Sequence, residues 1–312
     1  MLLYCELDFG SQVVELTWLM KVRVAAAMAI GVVLIGILGW PLAAPADPLG
    51  AVRATNLSFS ETMILSLLVI AASVIAYFVC WPYGREMAVL AAPSGLAVWA
   101  MRSGSMGQLM QGNTALLQRE VLWATLKWEP IFWLLVVGVA FAAVWLVQKV
   151  QIAGEPAKPR QGRKSNHRNY LNLVIGLLGS GMIALFCITL LARDVGFKDS
   201  RLGMVLGQPA IGQIVFSVVV SFGAAAFVVK RFLDVSFIWP TVACALITPF
   251  AIITYARQSI ALHLVERWPA MFFSNAALSV LPVQMVAFGT LGSIAGYWLA
   301  VRYCARREHK TG

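Results

Sequence analysis

Of the chain's 312 residues, 60% are hydrophobic and only 12% are charged, against about 45–50% and about 25% for a soluble domain. A soluble fold could not cover so apolar an interior with so little polar surface, so lipid has to be the outer solvent and soluble enzyme classes are excluded. The net charge of +10 does not point to nucleic acid, because Lys and Arg sit in short gaps between apolar runs and form no face interleaved with aromatics.

The chain begins with residues 1–19, which precede a second methionine. From Met20 it reads MKVRVAAAMAIGVVLIGILGWPLAAPAD: two cations, an apolar stretch, then Ala44-Pro45-Ala46 before Asp47. Residues 20–46 follow the plan of a secretory signal peptide. The apolar stretch is long for a cleaved signal, and an uncleaved first helix fits it as well.

A spanning helix needs about 20 predominantly apolar residues. Seven runs come close: Val24–Leu42, Met63–Trp81, Ile131–Val147, Tyr170–Leu191, Ala210–Val229, Ser236–Tyr255 and Leu281–Tyr303. An eighth, Met87–Met101, is short and carries Pro93. Loop charge decides whether it spans. If it does, fifteen of the 24 Lys and Arg residues fall on the side of the N-terminus and nine on the other. If it does not, the split is eleven to thirteen, with the densest basic loop on the wrong side. The positive-inside rule selects the first arrangement. The expected fold is an all-α polytopic bundle of eight transmembrane segments, seven if the first is removed. It lies in the cell membrane with its linker and C-terminus cytoplasmic.

That linker is residues 148–169, containing Gly154-Glu155-Pro156 and the basic run KPRQGRKSNHR. It is too polar for lipid and too broken by Pro and Gly to pack, and it separates a membrane half over 1–147 from one over 170–312. Each half runs helix, outer loop, helix, tight inner turn, helix, amphipathic outer stretch, helix. The inner turns are Pro82–Glu86 and Lys230–Val235. The third helix of each half holds a proline and exits to an arginine, Pro93 then Arg102 and Pro249 then Arg257. Both following stretches, ALLQREVLW from Ala115 and ALHLVERWP from Ala261, mix apolar residues with Glu, Arg and Trp. An even number of helices per half predicts a parallel 4+4 repeat about an axis along the membrane normal.

Several chemistries have no motif here. The histidines, His167, His263 and His309, lie outside the apolar runs, so paired-histidine haem ligation inside the bundle is excluded. No HExxH, CxxC or GxxxxGK occurs, and the five cysteines are scattered singly. No cofactor and no metal site is expected. Glu61, Glu86, Asp194 and Asp234 sit at helix ends or turns, against transport coupled through a midplane carboxylate. The glycines, Gly292-x-x-x-Gly296 among them, are read as close-packing positions, with a dimer seam as the other use of that pair.

The most suggestive stretch is Arg102-Ser103-Gly104-Ser105-Met106-Gly107, where a cation, two hydroxyls and free amides could hold an anionic headgroup or carboxylate. The expected substrate path joins Pro93, Arg102, Ser103, Ser105, Pro249 and Arg257, with no catalytic residue. Arg102→Ala is expected to impair function more than Arg53→Ala. Three functions fit: a permease-like or lipid- and small-molecule-handling protein, a non-catalytic subunit or scaffold, and a membrane-embedded lipid enzyme. The expected partners are the bilayer, and other membrane subunits or a second copy of the chain.

Overall fold

Inside hydrocarbon, every backbone N–H and C=O must find its partner within the protein, which makes the helix the solution for a single apolar run. The computed structural model describes residues 17–47, 50–152 and 167–311. Most of the linker, and all but the last three of residues 1–19, lie outside the described residues. Seven helices are long and apolar enough to cross a membrane: Trp18–Leu38, Phe59–Val79, Leu116–Gln151, Tyr170–Leu191, Ile211–Leu233, Ile238–Tyr255 and Pro282–Arg307. The chain is an integral membrane protein of the all-α kind.

In chain order, α1 (Trp18–Gly31) continues through a π-helical stretch, Val32–Leu38, into the short α2 (Trp40–Ala43). Helix α3 (Phe59–Val79) starts at a capping box, with Ser58 and Glu61 exchanging side-chain and backbone bonds. The turn after α3 leads to α4 (Gly84–Met87), a 3-10 turn (Ala88–Leu90) and α5 (Ala91–Arg102). The short sixth and seventh helices, α6 (Met106–Gln111) and α7 (Leu116–Leu126), precede the long α8 (Glu129–Ile152).

The second half opens with α9 (His167–Leu191). A hairpin of β1 (Gly196–Asp199) and β2 (Gly203–Gly207) then leads to α10 (Ile211–Leu233) and α11 (Ile238–Tyr255). Helix α12 (Gln258–Arg267), β3 (Phe272–Phe273) and a 3-10 turn (Ala276–Ser279) end at α13 (Pro282–Thr311). The three strands form one antiparallel sheet in the order β1-β2-β3, with Gly196 opposite Leu206 and Leu206 opposite Phe273.

The Gly84–Arg102 stretch crosses the bundle. At one end Gly84 lies against the backbone of Tyr77, near the C-terminus of α3. At the other, Ser103 Oγ accepts a bond from the Val52 amide (2.9 Å), and the Gly104 amide donates to the Gly50 carbonyl (3.1 Å). It is less apolar than its neighbours because it runs inside: all residues from Met87 to Leu96 are buried. The bundle has two ends. The linker end carries Arg23, Arg85, Lys149 and Arg231; the cap end carries α6, α7, α12 and the sheet.

Packing follows one scheme in both halves. In the first, α1 packs on α3 and α5, α3 packs on α8, and α5 meets α8. In the second, α9 packs on α10 and α11, α10 packs on α13, and α11 meets α13. Between halves, α8 packs on α13, while α5 packs on α13 and α11 packs on α8. The centre belongs to α13, with 78% of its apolar window buried against 22% for the first helix. Gly292 and Gly296 let its backbone approach that of α10, where β-carbons would overlap the carbonyl oxygens of Val219 and Gly223. The Gly292/Gly296 pair is thus an internal seam.

Candidate functional site

The two prolines occupy different places in their helices. Pro93 sits in the first turn of α5, where an absent N–H removes no intrahelical bond, and the tight 3-10 turn precedes it. Pro249 lies inside α11, which runs on to Tyr255 without interruption. Pro93 is buried and Pro249 half-buried; α5 packs chiefly on α13, the Val32–Leu38 stretch and α1, and α11 chiefly on α9 and α13, so that α13 is the main neighbour they share.

The expected polar residues share the cap end but do not converge on one point. Arg102 is exposed, its guanidinium 4.2 Å from the Trp40 ring centroid, a cation–π contact. Ser103 holds the Val52 amide, and Ser105 caps α6 in a capping box with Gln108. Arg257 is the exposed N-cap residue of α12.

The cap end holds three polar clusters that the sequence did not single out. The first starts at Arg53, whose Nε donates to Glu129 Oε1 (3.1 Å) and whose terminal amino group donates to Thr125 Oγ1 (2.7 Å). Glu129 is buried, and its other oxygen has no partner among the described residues. Trp133, one helical turn on, and Trp99 of α5 meet edge to face, 6.2 Å between centroids.

The second ties the hairpin to α12. Asp199 closes the β1–β2 turn by accepting from the amides of Arg201 (2.7 Å) and Leu202 (2.9 Å). It also accepts from Trp268 Nε1 (2.9 Å) and faces His263 Nε2 (3.0 Å). These bonds, that from Trp268 foremost, hold the Asp199 carboxyl well below the usual carboxylate range.

The third lies where the halves meet. Helix α7 is amphipathic. Leu117 and Val121 are exposed, as is Trp128 just beyond its end, while Arg119, Leu122, Trp123 and Leu126 face inward at helical spacing. Helix α12 packs on α7, and a cleft of about 360 Å³ including its open mouth lies between them. Its walls are Arg119 and Trp123 from the first half, and Tyr255, Leu264, Phe272 and Leu278 from the second. No acidic side chain lines it. Arg119 is 9% exposed and its Nε donates to the Asn113 carbonyl (3.0 Å). Among the described residues it forms no ion pair, and its terminal amino groups make no hydrogen bond. Gln208 braces the same junction, accepting from the Gly107 amide (2.8 Å) and donating to the Ser279 carbonyl (3.2 Å).

Arg119 carried no local signal in the sequence beyond an amphipathic stretch, and Asp199 and His263 are 64 residues apart. Among the described residues no group of three or more His, Cys, Asp and Glu could hold a metal ion. What the cap end defines is a helical integral membrane protein with a cationic, aromatic-walled cleft. Comparison with known proteins finds no matching family model, no similar curated protein and no similar solved structure.

Proposed function

We propose that the chain is a permease-like protein that handles a lipid or small molecule. It is built as two parallel four-helix repeats in the cell membrane, with the linker end cytoplasmic. The observation that carries this reading is the cleft itself, whose walls come from both halves at their junction. Binding sites in transporters made of repeats lie at such junctions, where one unit moves against the other. The packing scheme supports the repeat: a two-fold axis pairs the α5–α13 contact with the α11–α8 contact, and places α8 against α13 on the axis. The cleft opens at the cap end, beside Arg257 and away from Pro93.

The scaffold reading draws on a different observation. Midway along the bundle α10 and α13 touch backbone to backbone, and Pro93 is packed on all sides. Mass spectrometry of what the purified protein retains separates the two. A defined lipid or small molecule held stoichiometrically, and lost when Leu264→Trp and Leu278→Trp fill the cleft, is expected. Retention of bulk lipid in membrane proportions, unchanged in the filled variant, would establish the scaffold reading instead.

A further inference from the structure

We infer that the cleft binds the anionic group of an amphiphile, a phosphate or carboxylate held by Arg119 with its apolar part against Trp123, Tyr255 and Phe272. This rests on the reading of the cleft as a ligand site and names its chemistry.

The argument begins with an uncompensated charge. A guanidinium stays protonated in proteins, and taking it out of water is costly unless an anion or several acceptors replace the lost solvent. Arg119 is nine-tenths buried, yet one backbone carbonyl is its only hydrogen-bond acceptor among the described residues. Its five donors form a planar fork matched to a two-oxygen anion. Four remain on the terminal amino groups after Nε is bound to Asn113. With aromatic and aliphatic walls around it, the local dielectric is low and an arriving anion feels the charge strongly.

The walls decide that the ligand is an amphiphile and not a bare ion. Apart from Arg119 and the Tyr255 hydroxyl, the lining side chains are apolar. The enclosed part has room for about one water-sized body, enough for one or two oxygens of the anion, so the rest of the ligand has to lie along the open mouth. Leu264, the half-buried leucine of the α12 wall, offers apolar contact that favours an alkyl chain. Two sources share this chemistry, a membrane lipid headgroup and a free phosphate or carboxylate, and the experiment separates them.

The full-length protein in a neutral maltoside detergent is titrated with dodecyl phosphate, dodecanoate, dodecanol and inorganic phosphate. Binding is read by isothermal calorimetry and by the rise in unfolding temperature. Dodecyl phosphate and dodecanoate should bind, inorganic phosphate at least tenfold more weakly, and dodecanol not measurably. Arg119→Gln should weaken both anionic amphiphiles at least tenfold, while Arg193→Gln, at an exposed arginine outside the cleft, leaves them unchanged. Because Arg119 also holds the Asn113 carbonyl, a second variant, Leu264→Trp, blocks the mouth with the cation intact and should lower affinity without lowering the ligand-free unfolding temperature. Dodecanol binding as tightly as dodecyl phosphate, or Arg119→Gln binding as wild type, overturns the anion assignment and leaves an amphiphile cleft. Inorganic phosphate binding as tightly as the amphiphiles overturns the apolar part. No binding of any probe to wild type overturns both this inference and the ligand-site reading beneath it.

Discussion

Gly296 of α13 faces Gly223 of α10 so closely that a β-carbon on the first would overlap the carbonyl oxygen of the second. In lipid no water-driven apolar force draws helices together, so such contacts hold the bundle through dispersion and backbone proximity. Gly296→Val should destabilise the protein by about 1–3 kcal/mol, the range for overpacking, read as a lower unfolding midpoint in mixed micelles. Oligomeric state by light scattering should not change. Loss of a dimer with the monomer's midpoint preserved would mean that the seam lies between chains.

Arg53 is an anchor for the loop before α3. Its guanidinium pairs with Glu129, whose side chain is almost fully buried. Removing Arg53 leaves the Glu129 carboxyl buried without its partner, either as an uncompensated charge or forced to take up a proton. Arg53→Met should therefore cost about 3 kcal/mol, the low end of that penalty because Arg53 keeps some solvent. Adding Glu129→Gln should recover most of it in a double-mutant cycle. For stability, then, Arg53 outranks Arg102, which lies exposed on Trp40. Equal midpoints for Arg53→Met and Arg102→Met would refute that order.

Asp199 sets the pH behaviour of the cap. Its carboxyl titrates below the usual range because Trp268, the Leu202 and Arg201 amides and His263 all stabilise the anion. A depressed folded value stabilises the attached hairpin above the unfolded-state pKa of about 3.9. That stability is lost as pH falls through the folded value. Between pH 5 and 8 the Asp199 bonds should thus contribute a constant amount. Protection of the 196–207 amides, corrected for the intrinsic pH dependence of exchange, should fall only below about pH 4. Asp199→Asn should lower it at neutral pH while exchange in α10 stays slow.

Sidedness tests the proposed topology. In a background without native cysteines, Arg201→Cys at the cap and Arg306→Cys at the linker end should react with an impermeant maleimide from opposite sides of the membrane. Arg201→Cys is expected to react in intact cells. Labelling of both from outside would overturn the eight-crossing topology.

Much of the bundle was legible because hydropathy and length are local properties. Tyr170–Leu191 and Ser236–Tyr255 stop at the residues where their helices stop. The starts were less well read. Helix α3 begins at Phe59 because Ser58 and Glu61 cap it, four residues before the apolar run. The Gly84–Arg102 stretch stood out less in hydropathy, since a helix buried inside the bundle has no need of a full apolar length. The site was hardly legible at all. Arg119 has meaning only once α12 lies against α7, and Asp199 only once Trp268 is folded over it.

The paired contacts of α8 and α13 bear on the proposed repeat. In a symmetric dimer of a four-helix chain, the fourth helix would meet its own copy on the axis, and each contact of third with fourth helix would occur twice. The contacts α8–α13, α5–α13 and α11–α8 have that form. Fusion through one basic segment would preserve such a dimer without turning either copy over, since four crossings return the chain to the side where it began. The two halves differ in the cap, where the first supplies the cation and the second most of the aromatic wall.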